Sequence, residues 1–238
     1  MHSRLFQWLV CILAVSHLRA AEPTVTQTMS IFHRPESVAF GLDGRKLFVS
    51  NCGSDVFGLD KSFVGFVKGA GSISKLNIDA QGTASVEKLK FISNLSANVG
   101  IAVLPQATEK FPRGTLLVNH GISLLVDSEG QPETNPYALH TGISFHDPET
   151  GGFLGDLRVG AGSIVAQILG HIILLPNSIA FDSNGNLYVT DTAKGGDRLS
   201  PKTGGHPGLI RIEHDAIDPL TVGASSEIDE AVKENIIN

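Results

Sequence analysis

Residues 35–51, PESVAFGLDGRKLFVSN, and residues 176–191, PNSIAFDSNGNLYVTD, are two versions of one phrase. In the second, Ile179 and Phe181 alternate with Ser178 and Ala180. Asn184-Gly185 then supplies a turn, and Leu187 and Val189 alternate with Tyr188 and Thr190. Period-two alternation on both sides of Asn-Gly predicts a β-hairpin, because these residues tolerate the positive φ that tight turns need. The first version repeats the pattern with Val38 and Phe40, Asp43-Gly44, and Leu47 and Val49, with one extra residue near Lys46.

Further strands are predicted after each hairpin. SISKLNID (72–79) and VEKLKFI (86–92) flank the turn-like AQGTAS, and a weaker third copy opens at NVGIAVLP (98–105) and resumes at GTLLVNH (114–120). GISFHD (142–147), the turn PETGG and FLGDLRV (153–159) complete it. The unit is four short antiparallel strands, repeated, which is how a β-propeller is written: each blade needs a neighbour to cover its faces. The openings at Glu36, Asn98 and Asn177 are 62 and 79 residues apart. A blade needs only about 45, so insertions are expected at 52–69 and 121–136. The fold class expected is all-β: an incomplete propeller of about three blades, fewer than the four to eight of a typical ring. The chain therefore reads as a fragment of a longer propeller. Residues 31–223 would form these blades and 224–238 a helical tail, since Ile228, Val232 and Ile236 recur at helical spacing.

The first twenty residues have a basic start at Arg4, an apolar run from Leu5 to Val15, and small residues at Ala20 and Ala21. That is the layout of a secretory signal peptide, with a run too short to cross a bilayer. A secreted or periplasmic location is expected. Removing this segment takes away Arg4 and Arg19 and no acidic residue, so the formal charge falls from −6 to −8. An acidic exported chain is a poor partner for nucleic acid or an anionic membrane, and neither is expected. Cys52 is then the single cysteine and reads as a buried thiol.

No phosphate-binding loop, Gly-x-Ser-x-Gly elbow or His-Glu-x-x-His motif occurs. The seven histidines after residue 20 lack zinc-finger spacing. The chemistry is expected at the blade openings, because equivalent positions of successive blades converge on a propeller axis. Glu36 and Asn177 share one register and Asn98 lies within one residue of it. A carboxylate and amide oxygens around a channel mouth suit a hard divalent cation such as calcium. Asp191 and His120 each end a strand, and both are candidates for substrate contact at the same mouth.

Together PESVAF, GSISKLNIDAQG, NLSANVGIAV and LPNSIAFDSNGNLYVTDT resemble the gluconolactonase / senescence-marker-protein (regucalcin-like) propeller family, over roughly residues 34–211. The resemblance implies a divalent metal (calcium or zinc) held in part by Glu36 and Asn177, with Asn98 binding substrate. It also implies hydrolysis of a sugar-lactone-like small molecule, the metal polarising the carbonyl while a carboxylate takes a proton from water. One departure is plain: the aspartate that the family places about one blade beyond the asparagine has no counterpart in LTVGASSEIDEAV. Related non-catalytic NHL-type propellers use similar phrasing, so a ligand- or protein-binding module stands as the alternative.

Overall fold

A computed structural model of the chain describes residues 27–53, 55–57, 63–120, 125–127, 129, 131, 141–160, 162–192 and 208–223. The chain divides into two compact units, Met1–Ser30 and Ile31–Asn238, and every described strand lies in the second. The expected signal peptide and helical tail lie outside the described residues.

Strands β1 (Pro35–Phe40), β2 (Lys46–Asn51), β5 (Gly71–Ile78) and β6 (Ala84–Leu95) form an antiparallel sheet in that order. A second sheet has β7 (Ile101–Val103), β8 (Leu116–His120), β10 (Gly142–His146) and β11 (Phe153–Arg158) in sequence, with β15 (Thr221–Gly223) added beyond β11. A third joins β12 (Pro176–Phe181), β13 (Leu187–Asp191) and β14 (Gly208–Ile212). The fold is all-β and propeller-like, and two of these repeated sheets occupy the span from Glu36 to Asn177.

Both predicted hairpins form, and for the expected reason. Gly44 (φ 68°) and Gly185 (φ 82°) take the left-handed conformation that the turns need. Asp43 and Asp182 cap the turns by accepting from the amides of Arg45 (2.8 Å) and Asn184 (2.9 Å). Phe40 pairs with Leu47 and Phe181 with Leu187, so the extra residue of the first copy is absorbed in the turn and both strands keep their facing.

The two insertions find each other. Strands β3 (Asp55–Phe57) and β4 (Phe63–Val67) come from the first, β9 (Leu125–Val126) from the second, and β4 pairs in parallel with β9. Cys52 is buried beneath this region with Phe66, Ala97 and Leu175. Among the described residues two short helices interrupt the strands: α1 (Ile164–Leu169), capped by Ser163, and α2 (His214–Leu220), which precedes β15.

The core lies between sheets. Phe48, Ile73, Phe91 and Ile92 of the first pack against Ile101, Leu116 and Val118 of the second. On the other face of the second sheet, Leu117, Ile143, Phe145 and Leu157 belong to a cluster with Ile179, Leu187, Val189 and Ile212 of the third. The second sheet thus buries alternate residues against its two neighbours, and each sheet depends on an adjacent one to cover an apolar face.

Candidate functional site

Strand pairing fixes which residues are equivalent. Val38 pairs with Val49, Ile101 with Val118 and Ile179 with Val189. Glu36, Val99 and Asn177 therefore hold one position, and Asn98 matches Pro35 and Pro176. Strand β7 lies between β1 and β12, so these opening segments are neighbours. Glu36 is exposed and Asn177 half-buried, whereas Asn98 is wholly buried. Its Nδ2 donates to the Ser72 carbonyl at 3.0 Å, and its Oδ1, without a hydrogen-bond partner, is aimed at Gly71. A Cβ at Gly71 would lie 1.8 Å from that oxygen, so glycine is what admits the amide there.

One residue inward, the sheets are stapled together. Ser50 Oγ accepts from the amide of Ser37 at 3.0 Å and donates to the Val99 carbonyl of the next sheet at 2.8 Å. Asn119, its equivalent, accepts from Gly100 N at 2.6 Å and donates through Nδ2 to the Asn177 carbonyl at 2.8 Å. Thr190, the third equivalent, accepts from Ser178 N at 2.9 Å. Gly100 has no side chain because the next sheet is too close: a Cβ there would be 2.4 Å from the Asn177 carbonyl oxygen.

The ends of the second strands carry Asn51, His120 and Asp191 in equivalent positions. Asn51 Oδ1 accepts from His33 N at 3.3 Å. The buried Asp191 carboxylate accepts from Leu174 N (3.2 Å) and Leu175 N (2.9 Å), with Leu174 two residues before its blade-opening proline as His33 is before Pro35. Both side chains hold the chain as it enters a sheet.

His120 departs from that pattern. Its Nε2 lies 2.9 Å from Oδ1 of Asp156, whose Oδ2 is 3.3 Å from Nε of Arg158. His120 pairs with Gly142, which pairs with Arg158, and Asp156 lies two residues from Arg158 on the same strand. The carboxylate reaches diagonally across Gly142, where a Cβ would stand 2.7 Å from Asp156 Oδ1 and 3.3 Å from His120 Nε2. Asp156 is buried, and the His120 side chain keeps 18% of its surface exposed. A carboxylate only accepts, so His120 carries its proton on Nε2 and its lone pair on Nδ1. Sequence reading missed Asp156, although the 142–158 hairpin sets it opposite Ser144, one diagonal from Gly142.

Deeper on the same strand, His146 Nε2 is 2.8 Å from Ser144 Oγ and Nδ1 3.2 Å from the Gly151 carbonyl. Burial holds its pKa below the ordinary imidazole value, against the raising effect of the Gly151 carbonyl. At the opposite, turn-bearing end of the sheets, a 330 Å³ cleft opens between Leu42, Lys46, Arg113 and Glu149.

Among the described residues no group of three or more His, Cys, Asp and Glu side chains could hold a metal ion. Glu36 brings one carboxylate and Asn177 one amide, while the Asp191 oxygens are spent on backbone amides. That falls short of the six to eight oxygens calcium takes or the four ligands of structural zinc. Among the described residues, these side chains do not by themselves supply a full ligand set for calcium or zinc.

A family model described as a β-propeller repeat (SBBP) matches residues 169–195, the segment that contains the β12–β13 hairpin. No curated protein matches the chain. The matched segment and the three repeated sheets agree on β-propeller architecture.

Proposed function

We propose that the chain is a propeller hydrolase of lactone- or ester-type small molecules in which His120, oriented by Asp156, is the proton acceptor. The observation that carries the reading is the 2.9 Å His120–Asp156 contact beside the blade openings. A carboxylate on Nε2 fixes the tautomer and leaves the Nδ1 lone pair to accept a proton, the arrangement general-base catalysis needs. In this reading Nδ1 takes a proton from water as its oxygen adds to the carbonyl carbon. The ring or ester C–O bond then breaks, and the leaving oxygen takes the proton back. Glu36 and Asn177, the polar side chains at the outermost shared position, orient hydroxyl groups of the substrate. The sugar-lactone class rests on the family resemblance, and export rests on the N-terminal segment.

The test is hydrolysis of δ-gluconolactone and of a phenyl ester, each with a chelator present. Wild-type turnover that falls at least a hundredfold in His120→Gln and tenfold in Asp156→Asn supports the reading. Equal rates for wild type and His120→Gln sink it. The binding-module reading is favoured by a different observation: Asn51, Asn119 and Asp191 hold backbone rather than face solvent. It predicts ligand binding without turnover, measured by calorimetry, and unchanged in His120→Gln.

A further inference from the structure

We propose that Asn94 is the acceptor of an N-linked oligosaccharide, an inference that rests on the export reading of the N-terminal segment. The sequence holds one Asn-x-Ser/Thr triplet, Asn94-Leu95-Ser96, the acceptor form for this modification. The fold presents it. Strand β6 is the outermost of the first sheet, and near its end it bulges. Ile73 pairs with Ile92 and Gly71 with Leu95, so three steps along β6 match two along β5. A bulge of this kind re-aims the side chains beside it. Asn94 takes up the extra length with φ 60°, a left-handed conformation that asparagine tolerates better than most residues. Phe91 and Ile92 are buried and Leu95 packs on the same core, whereas Ser93 and Asn94 are exposed. Among the described residues no hydrogen bond involves the Asn94 side-chain amide, so substitution on its Nδ2 costs the fold none.

The step is transfer of an oligosaccharide from a lipid diphosphate. Nδ2 forms a bond to C1 of the first sugar as the C1–oxygen bond to the diphosphate breaks. The diphosphate leaves with that electron pair, and the amide gives up one proton to a base of the transferase. The motif requires the Ser96 hydroxyl, yet in the folded chain Ser96 Oγ accepts from Gly69 N at 2.9 Å. Transfer therefore precedes the closing of that contact. Once in place, the sugar stands at the end of an edge strand whose earlier part carries exposed Lys88 and Lys90. It extends to the end of β6 the polar cover that deters edge-to-edge pairing.

The experiment is expression of the full chain in cultured insect cells, with mass spectrometry of the protein recovered from the medium. The expected species is heavier than the bare polypeptide and loses the excess on treatment with peptide N-glycosidase, which converts the modified asparagine to aspartate. Asn94→Gly keeps a residue suited to positive φ and should be secreted at the bare mass with an unchanged circular dichroism spectrum. Ser96→Thr keeps a hydroxyl for both the transferase and Gly69 N, and should keep the sugar. A secreted wild-type chain at the bare mass overturns the proposal, as does a glycosidase-sensitive sugar that persists in Asn94→Gly. If the wild-type chain stays in the cell, a version with a heterologous leader in place of residues 1–20 separates the two readings. An unmodified Asn94 in that secreted version overturns the acceptor site, whereas a glycosylated one supports the site and overturns export by the native segment.

Discussion

Lys75 Nζ, on the third strand of the first sheet, lies 2.8 Å from Oε2 of Glu149 in a turn of the second sheet. The lysine is wholly buried while Glu149 is 70% exposed, and Glu87 Oε1 stands 3.4 Å from the same ammonium. The Phe91 ring lies beneath it, 5.0 Å from Nζ to the centroid. A buried ammonium whose counter-charges are carboxylates that reach in from the surface makes the cost of mutation asymmetric. Removing both Glu87 and Glu149 strands the charge and should destabilise by about 3 kcal/mol, whereas Lys75→Met removes the charge and should cost about 1 kcal/mol or less. Urea denaturation of the two variants checks the order; a larger loss for Lys75→Met would refute the account.

Asn119 should be the most costly of the staple residues. Asn119→Ala leaves the buried Gly100 N and Pro176 carbonyl, and the half-buried Asn177 carbonyl, without this partner, for an expected loss of about 3 kcal/mol. Ser50→Ala removes a shorter side chain that bridges the same kind of pair, with an expected loss of about 1.5 kcal/mol. Chemical denaturation midpoints at constant slope measure both.

Gly100→Ala places a Cβ against the Asn177 carbonyl and Asn119 Nδ2, 2.4 and 2.8 Å away, and neither can retreat without parting the second and third sheets. A destabilisation of about 2 kcal/mol is expected. Gly152→Ala, in an exposed turn with only Thr150 Oγ1 nearby at 3.1 Å, should stay within about 0.5 kcal/mol. Equal effects would show that close sheet contact does not set the requirement at Gly100.

His146 makes stability depend on pH. Its folded pKa lies below the ordinary value of 6.5, so the unfolded chain binds more protons between the two values. The contribution is fully present above about pH 6.5 and is lost as pH falls through the window down to the folded pKa. Denaturation midpoints should therefore drop on acidification from pH 7 to 5, and His146→Gln should flatten part of that slope. An unchanged slope in the variant would place the acid sensitivity elsewhere.

The alternation around Asp43-Gly44 and Asn184-Gly185 was enough to read both hairpins, and the weaker third copy led to the second sheet. What escaped was whatever depends on contacts distant in sequence. β15 is three residues, Thr221–Gly223, with no alternation of its own; it becomes a strand because β11 offers an unpaired edge. The pairing of β4 with β9 likewise joins two segments that each read as a loop. Glu36 and Asn177 share a position, as their phrases imply, and Asn98 falls one residue short, where it is buried. His120 was legible as a strand end, but Asp156 was not legible as its partner. Their contact needs the register of three strands and the missing side chain of Gly142.

The return of the chain from the third sheet to β11 sets an order of events during synthesis. The described strands of the first sheet have all left the ribosome by residue 95, and those of the third by residue 212. The second sheet waits for Thr221–Gly223, although four of its strands emerge before the third sheet begins. Until then β11 is an open edge of the kind that invites pairing with a neighbouring nascent chain. Lys110 and Thr108 hold Asp218 of the helix that delivers the last strand, so the clasp that protects this edge closes only when that helix docks.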